Sequence, residues 1–77
     1  MAEKMNLYFA ERASHYAKEN VTVYREHNTV YIVGSEIATL RLYHRFSLFG
    51  AVEAKYSAGE YEFYIQAHIN IVEQALK

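Results

Sequence analysis

A single α+β domain is the fold this sequence predicts, and three features predict it. Residues 21–33, VTVYREHNTVYIV, hold two β-branched runs in alternation around a two-residue break, the pattern of a hairpin. The first nineteen residues instead space their apolar side chains at helical intervals, and the chain closes on a second helical pattern, IVEQALK. A length of 77 residues leaves room for one core, so residues 1–77 are expected to form one domain. The full expectation is an N-terminal helix, a three- to four-stranded antiparallel β-meander and a C-terminal helix, with both helices on one sheet face.

Each element has its own signal. In the first helix Ala2, Met5, Phe9, Ala13 and Tyr16 make the apolar stripe, Glu3, Glu11, Ser14 and Lys18 lie opposite, Leu7 points away from the stripe, and Asn20 is the expected stop. Strand alternation then puts Val21 and Val23 inward and Tyr24 outward. After the His27-Asn28 turn it puts Val30 and Ile32 inward and Tyr31 outward. The run Thr29–Leu42 reads as the centre of the sheet: Gly34-Ser35-Glu36 breaks it, Ala38, Leu40 and Leu42 resume the inner face, and Thr39, Arg41 and Tyr43 join the outer one. A fourth strand is expected around Arg45–Phe49, ended or bulged by Gly50. Ala51–Tyr56 fits either a strand or a helical turn. Ser57 followed by Glu60 matches a capping box, so the closing helix is expected from Glu60 onward, with Tyr61, Tyr64, Ile65, His68, Ile69, Ile71, Val72, Ala75 and Leu76 on its broad apolar face.

Composition narrows function chiefly by exclusion. There is no cysteine, hence no disulfide and no thiolate chemistry, and a cytoplasmic location is expected. No basic start leads into an apolar segment and no run of eighteen apolar residues occurs, so neither a signal peptide nor a membrane span is expected. Eight Lys and Arg against nine acidic residues is too even a balance for a generally basic nucleic-acid binder. His15, His27, His44 and His68 lack paired metal-ligand spacing, the three glycines build no phosphate loop, and Glu60 and Glu62 diverge on a helix. No metal, cofactor or enzymatic activity is expected.

What stands out is tyrosine, present eight times, together with arginine on the predicted outer sheet face. Tyr24, Tyr31, Arg41 and Tyr43, with Arg45 nearby, form the candidate binding constellation, and Phe63, on the polar side of the closing helix beside Ala67, is a second exposed apolar candidate that could form a patch with Leu7. Tyr and Arg are favoured anchors of protein interfaces. The same residues can stack bases and contact phosphates, which keeps a single-stranded nucleic-acid binder as the alternative. Apolar area left on the outer face further predicts a homodimer, formed through sheet faces or a free edge strand about a two-fold axis.

Val30-Tyr31 through Gly34, then Ile37-Ala38, Gly50, Ser57 and Asn70 follow a spacing that resembles certain small tailed-phage accessory proteins of unknown function. Those proteins carry a strand, a Gly-Asn-x-Ile-Ala turn and a late glycine leading into a helix with a Leu-Asn pair. Ser35 stands where they often have Asn, and Ile69-Asn70 where they have Leu-Asn; the first helix lies outside the match. The resemblance implies a phage or mobile-element inhibitor that occludes a host or defence protein, of the anti-CRISPR or anti-restriction type, and it transfers no functional residue.

Overall fold

The computed structural model describes residues 3–4, 7–57 and 63–77. Their order is β1 (Glu3–Lys4), α1 (Leu7–Ala17), β2 (Thr22–Glu26), β3 (Thr29–Val33), α2 (Glu36–Ser47), β4 (Val52–Tyr56), β5 (Phe63–His68) and α3 (Ile69–Ala75). The strands form one antiparallel sheet in the order β1-β2-β3-β5-β4, in which β1 is a two-residue edge and the others are five or six residues long. The fold is therefore α+β, with helices at both ends of the chain and an antiparallel sheet between them.

The β2–β3 hairpin forms as its alternation predicts. Glu26 pairs with Thr29, which leaves His27-Asn28 as the two-residue loop, and His27 takes a left-handed conformation (φ 55°) of the kind tight hairpin turns require. Helix α1 stops at Ala17, three residues before Asn20. Lys18 adopts φ 61°, and its N–H donates to the carbonyl of His15, closing the last turn in a left-handed C-cap.

Two segments depart from expectation, and both departures are choices between periods. Residues 36–47 form α2 where a second hairpin arm and the start of a fourth strand were expected. Ser35 caps the helix by accepting a hydrogen bond from the N–H of Ala38 (3.1 Å), and Glu36 occupies the favourable first turn. Spacing by four buries Ala38, Leu42 and Phe46, which strand alternation would also place on one face; the two periods part at Leu40, which alternation would bury and which is 46% exposed. A glycine at each end permits close approach. A Cβ on Gly34 would lie 2.8 Å from Val21 Cγ1, and one on Gly50 would lie 2.6 Å from Ile71 Cδ1. Gly50 thus joins α2 to β4 and ends no strand.

The second departure is at the C-terminus. Residues 63–68 form the strand β5, paired on one side with β3 and on the other with β4, so the meander gives way to a sheet in which β5 is inserted between them. The expected capping box falls at residues 57–60, of which 58–60 lie outside the described residues. The closing helix begins only at Ile69, where His68 is the N-cap and its Nδ1 accepts from the N–H of Asn70 at 3.1 Å. His68 is exposed, not part of an apolar stripe.

One face of the sheet carries the core. Val23, Val30, Ile32, Ile65 and Ala67 are buried against Ala13 and Ala17 of α1, Leu42 and Phe46 of α2, and Val72, Ala75 and Leu76 at α3. All three helices lie on that side, because each contributes its buried residues to the same cluster and none contributes to the opposite face.

Candidate protein-binding face

The other face follows from the register. Tyr24 pairs with Tyr31, Tyr31 with Gln66, and Gln66 with Glu53; in the adjoining row Thr22 pairs with Val33, Val33 with Tyr64, and Tyr64 with Lys55. Because side chains alternate along a strand, these residues all project opposite to Ile32 and Ile65. The result is a surface with Tyr24, Tyr31, Val33 and Tyr64 half-buried at its centre, and Tyr31 and Tyr64 rings 6.3 Å apart. Glu53 and Lys55, 3.2 Å apart, border it along β4. The three described helices pack on the opposite face, with the core.

Of the six residues predicted to bind, the structure keeps Tyr24 and Tyr31 together and places the other four elsewhere. Arg41, Tyr43 and Arg45 stand on α2, behind the sheet, where their arginines satisfy helix ends. The guanidinium of Arg41 donates to the carbonyl of Ala17 (2.9 Å) at the end of α1 and lies 4.0 Å from Glu19, whose carboxylate also accepts from the Ser35 hydroxyl. Arg45 Nε donates to the carbonyl of Ala75 (2.9 Å) while its guanidinium stacks 4.1 Å above the ring of Tyr16. Arg12 completes the arrangement by donating to the carbonyls of Leu76 and Lys77, and both arginines donate to the Tyr16 hydroxyl at 3.2 Å. The last carbonyls of a helix have no partner within it, and a guanidinium supplies both the donors and the positive charge that a helix C-terminus favours. Tyr43 is half-buried against the core.

Phe63 opens β5 on the helix side of the sheet, paired with Tyr56 at a ring separation of 4.8 Å. It is neither helical nor near the tyrosine face, and the side chain of Leu7 lies outside the described ones. The residue that sequence reasoning missed is Tyr64. Its signal was the alternation of FYIQAH, which a strand turns into a tyrosine beside Tyr31 and a helix turns into part of a core stripe.

Elsewhere the surface offers little chemistry. An open groove of about 330 Å³ lies between Ala10, Glu11, Ser14, Asn20 and Val21, with one carboxylate in its lining. Among the described residues no three acidic or histidine side chains converge on a possible metal position, and no helix is long and apolar enough to cross a membrane. No protein-family model, curated protein or solved structure matches this chain.

Proposed function

We propose that this protein is a small non-enzymatic binding module that acts in the cytoplasm by covering a surface of another protein with the outer face of its sheet. The observation that carries the proposal is the Tyr24-Tyr31-Tyr64 cluster with Val33, on the sheet face away from all three helices. Tyrosines held on a rigid sheet bring large contact area at little cost in side-chain freedom, and they are enriched among the residues that dominate interface energetics. The spacing shared with small phage accessory proteins gives this reading its most concrete form, an inhibitor that occludes a host or defence protein. Single-stranded nucleic acid is a poorer occupant, since stacking proteins pair their aromatics with cations along the strand path, and Arg41 and Arg45 sit on α2 bonded to backbone carbonyls.

Immobilised protein should capture a partner from lysate of the source cell. The same partner should be lost from a Tyr31→Glu bait and retained by an Ile37→Glu bait, because Ile37 is exposed on α2, away from the tyrosine face. Equal recovery on the Tyr31→Glu bait, or no enriched protein on the parent, would contradict the proposal.

A further inference from the structure

We infer that the free edge of β4 pairs with β4 of a second copy of this chain, antiparallel, about a two-fold axis passing midway between the two copies of Ala54. The inference does not depend on the proposed function, since it concerns a different surface and its test needs no partner.

Strand β4 stands at the end of the sheet order, and no described residue pairs with its outer edge. Its five residues, Val-Glu-Ala-Lys-Tyr, contain neither proline nor glycine and pair with β5 in unbroken register without a bulge. The opposite edge, β1, is only two residues long. Natural edge strands are commonly protected by shortness, bulges, proline or charge, and only charge is present on β4.

That charge is arranged to attract a copy of itself. Two antiparallel edges related by a two-fold axis must keep their corresponding faces on the same side, so each residue meets one of its own parity. Centred on Ala54, the pairing sets Glu53 against the partner's Lys55, Lys55 against the partner's Glu53, and Val52 against the partner's Tyr56. Sliding by two residues in either direction sets Glu53 against Glu53 or Lys55 against Lys55, and like charges directly opposite one another disfavour pairing. The sequence of β4 therefore selects one register.

The helices fit the same axis. Helix α2 lies over β4 and β5. With strands about 4.8 Å apart, its axis falls about 5 Å from the two-fold, which brings α2 and its copy to about 10 Å, the separation at which helices pack. Arg41 and Arg45 turn toward the α1 side, and Leu42 and Phe46 point into the core. At about 100° of turn per residue, the flank left over the β4 edge carries Tyr43 and the exposed Leu40. Pairing would cover Leu40 and Tyr56, which is 64% exposed. It would also leave both tyrosine faces open on one continuous sheet, separated by the Glu53/Lys55 stripe.

Sedimentation of the full chain from micromolar to hundreds of micromolar tests this. The parent should dimerise in that range, and Glu53→Lys or Lys55→Glu alone should each weaken the dimer roughly tenfold or more, because both cross-strand pairs become repulsive. An equimolar mixture of the two single variants should regain the dimer, since each charge then faces its opposite again. Both positions are exposed, and far-UV circular dichroism verifies that the variants remain folded. Tyr31→Glu should leave association unchanged. A parent that stays monomeric, a dimer indifferent to both charge reversals, a mixture that fails to recover, or dissociation by Tyr31→Glu would each overturn the inference.

Discussion

The two faces of this sheet are built from the same strands, one residue apart, and they differ in almost every physical respect. On the helix side Val23, Val30, Ile32 and Ile65 are at most 2% exposed. They are β-branched, stiff and apolar, and they interlock with Leu42, Phe46 and Val72. On the other side Tyr24, Tyr31 and Tyr64 are half-buried, with the rings of Tyr31 and Tyr64 6.3 Å apart. Tyrosine covers its neighbours with an apolar ring while keeping a hydroxyl for water or a partner. The contrast teaches that the two faces divide the work: one carries the fully buried core, and the other presents half-buried aromatic rings.

Substitutions can break that comparison. The largest effect should come from Phe46→Ala, which removes the largest fully buried side chain among the described residues, at the junction of α2 with the sheet. A loss of about 3–5 kcal/mol in urea denaturation is expected. A loss under about 1 kcal/mol would place the core elsewhere. Smaller, but still above the level of a surface change, should be Arg45→Ala. It removes a charged hydrogen bond to the Ala75 carbonyl and the stacking on Tyr16, and should cost about 1–3 kcal/mol. An Arg45→Ala protein as stable as the parent would show that the guanidinium is not needed at the end of α3.

Much of this arrangement was legible in the amino-acid order, and the rest was hidden for identifiable reasons. Val21–Glu26 and Thr29–Val33 satisfy only one period, so the hairpin, its two-residue turn and the outward direction of Tyr24 and Tyr31 could be read directly. Residues 36–47 satisfy two periods. Ala38, Leu42 and Phe46 are inward in either, and the decision shows at Leu40, which the helix leaves exposed, and rests on the Ser35 hydroxyl, which caps the helix only once the chain turns there. Residues 63–68 carried the same ambiguity, and the apparent cap at Ser57 favoured a helix over the alternation that the sheet selects. Arg41 and Arg45 follow from the first error. Read as strand residues they joined the tyrosines, whereas on α2 they meet the ends of α1 and α3, contacts spanning 24 and 30 residues of chain that no local pattern encodes.

The most direct test of the two-faced sheet compares neighbours on β3. Ile32 is fully buried and Tyr31, one residue before it, projects from the opposite side. Ile32→Ala and Tyr31→Glu would be compared with the parent by equilibrium denaturation. Ile32→Ala should lose about 2–5 kcal/mol. Tyr31→Glu, despite placing a charge at the centre of the sheet, should lose about 1 kcal/mol or less, because water reaches that face. A Tyr31→Glu protein destabilised as severely as Ile32→Ala would mean that the tyrosine face is covered and belongs to the core.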